Sequence, residues 1–249
     1  MKALRSAFVL AFLVLVAVPA FADVTVKMTV STTGGTAAME MSMVTYVKGM
    51  KMRSDVKVMD QDMSVFVDVA AEQQVLINNA TKQVMDFNAL MANLPMTFGD
   101  ITVSVKPSGQ TKEVLGYTCA GFTIEVTMPM TVMNETVTMT MSGLAWIAKE
   151  GPGVAEYQAF TKASVAGGLL TNPFAQGPQA KGVAQMQAAF AENGIPLEQD
   201  LQITVTGAGE MAQAMSQMGN MRTTTKVTSI STDPIPDDLL AMLAAAVKK

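Results

Sequence analysis

From Asp23 to about Ala148 the chain alternates apolar and polar residues with a period of two. Val24, Val26 and Met28 interleave with Thr25, Lys27 and Thr29. Met39, Met41, Met43, Thr45 and Val47 interleave with Glu40, Ser42, Val44, Tyr46 and Lys48. After a turn at Lys48-Gly49, Met50, Met52, Ser54, Val56 and Val58 interleave with Lys51, Arg53, Asp55 and Lys57. Successive side chains of a strand point to opposite faces, so this pattern dictates antiparallel strands with one buried and one wet face. The runs Met63–Val69, Gln74–Ile77, Gln83–Phe87, Ile101–Lys106, Tyr117–Met128 and Thr136–Ile147 follow the same rule. Turn signals at Asn78-Asn79, Pro107-Ser108-Gly109 and Asn134-Glu135 separate them.

Gly151-Pro152-Gly153 closes the alternating region, and helical spacing begins. Val154–Ala166 places Val154, Tyr157, Phe160 and Ala163 on one face of a helix. Gln179–Glu192 is a second helix, stopped by Asn193-Gly194 and Pro196. Leu201–Thr206 reads as a strand, Glu210–Met218 as a short helix and Thr223–Ser231 as a last strand. Asp233-Pro234-Ile235-Pro236 is a rigid turn before an Ala-rich tail. The arrangement predicts an α+β fold, a large curled antiparallel sheet (a half-open β-barrel) wrapped around one or more helices.

The N-terminus sets the expected compartment. Lys2 and Arg5 precede an uninterrupted apolar run, Ala7–Val18, and Ala20-Phe21-Ala22 has the small-x-small form of a cleavage site. The run is shorter than the roughly 20 residues that span a bilayer. Residues 1–22 therefore read as a signal peptide cut after Ala22, and 23–249 as one exported, periplasmic domain that does not span a membrane. The mature part has 249 − 22 = 227 residues, with 15 basic against 21 acidic groups. That balance offers no electrostatic footprint for nucleic acid. Histidine is absent, which removes the Ser-His and Cys-His nucleophile pairs and the commonest metal ligand. Cys119 is the single cysteine, so no intramolecular disulfide can form. No spacing of carboxylates singles out an acid and a base, and the chain reads as a non-enzyme without cofactor or metal.

Several segments, taken in order, resemble a known family. They are Tyr46-Val47-Lys48-Gly49-Met50-Lys51-Met52-Arg53-Ser54-Asp55, Val114-Leu115-Gly116-Tyr117-Thr118-Cys119, Ala145-Trp146-Ile147-Ala148-Lys149-Glu150-Gly151-Pro152-Gly153, Gly194-Ile195-Pro196-Leu197, and Thr225–Ser231 with Ile235-Pro236-Asp237-Asp238-Leu239. The series is similar to the exported bacterial proteins called domain of unknown function 4412. The strand-rich half, with its Lys-Gly-x-Lys-x-Arg hairpin, also resembles the LolA-type lipoprotein carriers, in which a half-open barrel shelters acyl chains. The resemblance implies a carrier for a lipid or lipoprotein acyl chain and no catalytic residues.

The methionines bear on that expectation. Met39, Met41, Met43, Met50 and Met52 recur at alternate positions and are the residues expected to line an apolar ligand-binding face. Methionine is unbranched and polarisable, and so fits varied shapes. Two other readings stand beside this one. One is a filled, Met-rich core in a structural or interaction module of the cell envelope. The other is Cu(I) held by thioether sulfurs, which needs three or four of them to converge. Alternate residues of one strand are roughly 6.6 Å apart, so Met50 and Met52 would have to supply the remaining sulfurs from across the hairpin. Gly207-Ala208-Gly209-Glu210-Met211-Ala212 fits a dinucleotide pattern. The strand before it alternates, however, and only 16 residues follow Asp233, which argues against a nucleotide fold. Lys48, Lys51, Arg53 and Lys57 form a basic strand face, either solvated or a dock for an acidic partner.

Overall fold

A computed structural model of the chain describes residues 22–34, 38–58, 61–85, 96–132, 135–169, 180–217 and 221–241. The expected signal segment lies outside them, apart from Ala22. The architecture is one 12-stranded antiparallel sheet with its three longer helices on one face. The strands are β1 (Val24–Thr33), β2 (Met39–Lys48), β3 (Lys51–Val58), β4 (Gln61–Asp68), β5 (Gln73–Asn78), β6 (Gln83–Met85), β7 (Met96–Phe98), β8 (Thr102–Val114), β9 (Tyr117–Val132), β10 (Glu135–Ala148), β11 (Ile195–Gly207) and β12 (Met221–Ser231). Their order is β6-β5-β4-β3-β2-β1-β12-β11-β10-β9-β7, with β8 pairing β9. The sheet is open, because β6 and the β7/β8 side never meet. Two runs of hairpins are joined through β1 and β12, the first and last strands among the described residues.

The helices are α1 (Val154–Ala166), α2 (Ala180–Asn193), α3 (Glu210–Gln217) and the single turn α4 (Asp237–Leu240). α1 begins after Gly153, whose φ of 79° few other residues adopt. It ends in a Schellman motif. The Gly168 N–H donates to the Val165 carbonyl at 3.0 Å and the Leu169 N–H to the Ser164 carbonyl at 2.8 Å. Leu169 then drops into the core as the apolar residue that usually accompanies this cap.

α1, α2 and α3 cover one face of the sheet. Val154 and Phe160 of α1 pack with Val24, Val26, Val47, Val65 and Val67. Phe190 of α2 packs with Phe122, Ile124, Ala145 and Leu201. Ala212 of α3 packs with Met130 and Val137. Burying a side chain of the Val or Phe class contributes about 1.5–3 kcal/mol, so these three clusters carry much of the stability.

Three sequence expectations change. Pro107-Ser108-Gly109 is no turn. The register with β9 slips between Pro107 and Thr111, and the strand runs on to Val114 through a bulge. The signals Asn193-Gly194 and Pro196 do end α2, but they hide the first residues of β11, which already starts at Ile195. Its register slips beside Pro196, so the missing N–H falls at an irregularity. Finally, the basic strand face is neither simply solvated nor free. Lys48 Nζ donates to the Ile235 carbonyl and contacts Asp237, both at 2.7 Å. Arg53 Nη1 donates to the Leu239 carbonyl at 3.1 Å, and Lys51 pairs with Asp68 at 3.3 Å. Asp23 accepts the Ile235 N–H at 2.6 Å. The first hairpin and the start of β1 thus clamp the C-terminal segment.

Candidate functional site

Residues directly opposite each other in neighbouring strands point to the same face. Met43 opposes Met28 on β1 and Val56 on β3, and Val56 opposes Met63 on β4. Met41 opposes Val30 and Val58, and Met39 opposes Thr32. On the other side of the β1–β12 junction, Met221 opposes Ile203, Ile203 opposes Met141, and Met139 opposes Met128 and Val205. Val30 and Thr32 oppose Thr225 and Thr223, which share the parity of Met221. All these methionines therefore lie on one face, the one the helices cover. Spread over 249 residues they look dispersed, and strand pairing gathers them.

Their burial is graded. At the α1 end, Met52 is 2% exposed and Met63 is buried, both in the cluster with Val24 and Phe160. Outside that cluster, Met41, Met43 and Met221 are half-buried and Met39 is 39% exposed, while Met28 and Met141 are half-buried against the clusters that hold α1 and α2. The result is a strip along β2, β1, β12, β11 and β10, apolar except where Thr32, Thr223 and Thr225 cross it at the β1–β12 junction, that the described helices leave partly open.

The five expected site residues divide accordingly. Met39, Met41 and Met43 lie along the strip. Met52 shares their face but is sealed beneath α1, opposite Val47. Met50 sits in the turn, where its carbonyl accepts the Val69 N–H at 2.9 Å. Val47 is four residues from Met43, roughly 13 Å along the strand, so the hairpin does not bring Met50 and Met52 to the other three. The partner that Met43 does meet is Met28, which makes two thioethers where Cu(I) needs three or four. Among the described residues no group of three His, Cys, Asp or Glu could hold a metal ion. β11 is antiparallel to both neighbours, so Gly207–Ala212 does not open a βαβ unit.

Two depressions lie away from the strip. One, of about 470 Å³, is lined by Ser142, Leu144, Asp200, Gln202 and Arg222 on the opposite face. Asp200 and Arg222 pair across it, and the guanidinium holds the Asp200 carboxyl below its usual range. The other, of about 540 Å³, lies between Tyr117–Ala120 and Lys149–Pro152. Tyr117 donates to the Pro152 carbonyl at 3.0 Å there. Cys119, at its edge, is 0% exposed. Burial, with the Glu113 and Glu198 carboxylates adding to it, raises its thiol pKa. A neutral, sealed thiol is a poor nucleophile.

No family model and no curated protein matches the chain. Among solved structures it is similar to a putative outer membrane lipoprotein-sorting protein domain from Vibrio parahaemolyticus, with 6% identity, TM-score 0.36, and coverage of 91% of this chain and 92% of that one. It is also similar to a LolA superfamily protein from Nitrosomonas europaea, with 7% identity, TM-score 0.29, and coverage of 89% and 90%. A DUF1329 family protein from Desulfovibrio piger matches at 10% identity and TM-score 0.30, over 91% and 92%.

Proposed function

We propose that this chain is an exported, non-enzymatic protein that binds an apolar chain, a lipid or lipoprotein acyl group, along the methionine strip. The single observation behind the reading is that the methionines of the strands share one face and grow more exposed from Met52 and Met63 under α1 to Met39 at the outer end. Met39, Met41 and Met43 make the contacts, and Met50 and Met52 anchor the hairpin end. Soft, flexible thioethers suit a ligand whose shape varies along its length. Cleavage after Ala22, residence in the periplasm and kinship with the domain of unknown function 4412 proteins belong to the same proposal, as does the likeness of the Lys48–Arg53 hairpin to LolA-type carriers. The filled packing under α1 favours a second reading, an interaction module of the envelope with no ligand.

Native mass spectrometry of the mature protein, purified from the periplasm without detergent, tests both. An adduct of lipid-like mass released by organic solvent is the expected result. A bare-chain mass, unchanged after incubation with lipid vesicles and with Cu(I), would sink the carrier reading and leave the interaction module. Replacing Met39, Met41 and Met43 with Leu is expected to weaken binding of apolar probes. Unchanged binding would remove the methionines from the role.

A further inference from the structure

We infer that the methionine strip is an oxidation site, at which a hydroperoxide converts thioethers to sulfoxides and so releases the apolar chain. The inference rests on the ligand reading above. The geometry orders the targets. Met39 is 39% exposed, Met41 and Met43 are half-buried one and two alternate positions along the same strand, and Met52 on the same face is 2% exposed. An oxidant in solution therefore meets the outer end of the strip first and the α1 core last. The competing soft nucleophile is out of reach. Cys119 is the single cysteine, is 0% exposed, and sits among apolar side chains that keep it a neutral thiol. Among the described residues Met39 is the most exposed methionine, ahead of Met50, Met85 and Met186, which are half-buried outside the strip.

The step balances without any protein group. The thioether sulfur gives an electron pair to one peroxide oxygen and is oxidised by two electrons. An S–O bond forms, the O–O bond breaks, and the departing oxygen takes the proton from the oxygen now on sulfur and leaves as an alcohol, or as water when the oxidant is hydrogen peroxide. A dithiol reductase reverses it, with the sulfoxide oxygen leaving as water and the dithiol becoming a disulfide. The sulfoxide is polar and chiral. A wall that was apolar then holds an oxygen that needs a hydrogen-bond donor, which an acyl chain lacks. Leu or Val at these positions would bury comparable area without this sensitivity.

The test uses the mature protein, hydrogen peroxide and a fluorescent fatty acid as probe. Peptide mass mapping is expected to find Met39 oxidised first, then Met41 and Met43, with Met52 last. Probe affinity is expected to fall at least tenfold as Met41 and Met43 oxidise, with far-UV circular dichroism unchanged. It should return after treatment with methionine sulfoxide reductases and dithiothreitol. Relative to its own reduced affinity, M43L should lose less than the parent. If the reduced protein binds the probe but full oxidation of Met39, Met41 and Met43 leaves affinity unchanged, this inference fails and the ligand reading stands. If the reduced protein binds neither probe nor lipid, both fail. Oxidation of Met52 before the strip would also overturn it.

Discussion

Replacing Arg53 with Ala should loosen the C-terminal segment and destabilise the whole domain. Arg53 lies on the face opposite Met52, and its side chain is 16% exposed. Its guanidinium carbon is 5.3 Å from the centroid of Phe66, itself fully buried on that face. Nε donates to Asp55 Oδ1 at 2.7 Å and Nη1 to the Leu239 carbonyl at 3.1 Å. A cation over an aromatic face contributes about 0.5–2 kcal/mol depending on desolvation. A hydrogen bond to a charged group contributes about 1.5–3 kcal/mol. Asp55 would keep the Ser64 hydroxyl as a donor at 2.5 Å, which limits the cost of stranding its charge. These contacts share one side chain and do not add fully, so R53A should cost about 3 kcal/mol. At about 2–4 °C per kcal/mol for a chain of this size, Tm should fall by roughly 6–12 °C. Urea unfolding followed by Trp146 fluorescence measures it. Limited proteolysis near Leu239 should accelerate as the segment opens locally. R53M separates packing from charge, since it keeps an apolar stem over Phe66. Wild-type stability in R53M would refute the reasoning, because the guanidinium contacts would then contribute nothing net.

Other outcomes follow from the same geometry. The Lys48 hydrogen bond, and then its charge, hold the Asp237 carboxyl below its usual value, and the same bond raises Lys48. The Asp237 contribution is present above about pH 3.9 and fades as pH falls through its lower folded pKa, while that of Lys48 is complete below about pH 10.4 and fades as pH rises through its higher one. The stability difference between parent and K48M should therefore be flat between those limits and shrink at both ends; a difference that peaked or vanished near neutrality would contradict the pairing. Cys119 should resist iodoacetamide at pH 8 in the native protein and react on unfolding in urea; equal rates in both states would place the thiol at the surface. G194A should fail to accumulate as folded protein or lose more than about 4 kcal/mol, because a Cβ would lie 1.9 Å from the Ala148 carbonyl oxygen at a φ of 127°. G49A, at φ 57° with nothing within 4 Å, should lose only about 1–2 kcal/mol by urea titration, and the reverse ranking would overturn the account.

Most strands are legible in the sequence because a half-buried strand must alternate. Val24–Met28, Met39–Val47 and Met52–Val56 alternate because their inner face is on the whole more buried than their outer one. α1 is equally legible, since Gly153 and Gly167-Gly168 punctuate it at both ends. What local chemistry cannot reveal is where a turn signal is overruled. Pro107–Gly109 and Pro196 carry turn residues, yet the long partner strand β9 and the neighbours β10 and β12 hold both segments in the sheet, and the strain appears as register slips. β7, at three residues, is too short to show a period. The clamp on Ile235–Leu239 was hidden for another reason. Lys48 and Arg53 show in the sequence that a charged face exists, but their partners stand 187 and 186 residues away.

The methionines show the same limit and a way past it. Parity within each strand is readable, so Met39, Met41 and Met43 are visibly on one face. Register between strands is not, and β1 meets β12 only because the first and last strands among the described residues close the gap between two hairpin runs. Once that pairing is known, the choice of residue follows from coverage. Under α1 the inner face is Val24, Val26, Val47, Val65 and Val67, stiff β-branched residues, together with Met52 and Met63. Where the same face is half-exposed it carries Met28, Met41, Met43 and Met221. Fixing a methionine costs up to about 2 kcal/mol of rotamer entropy, a cost that a half-exposed side chain largely avoids until something settles on it. Methionine thus predominates where the sheet's apolar face is half-exposed, and valine predominates beneath α1, where Met52 and Met63 complete the core.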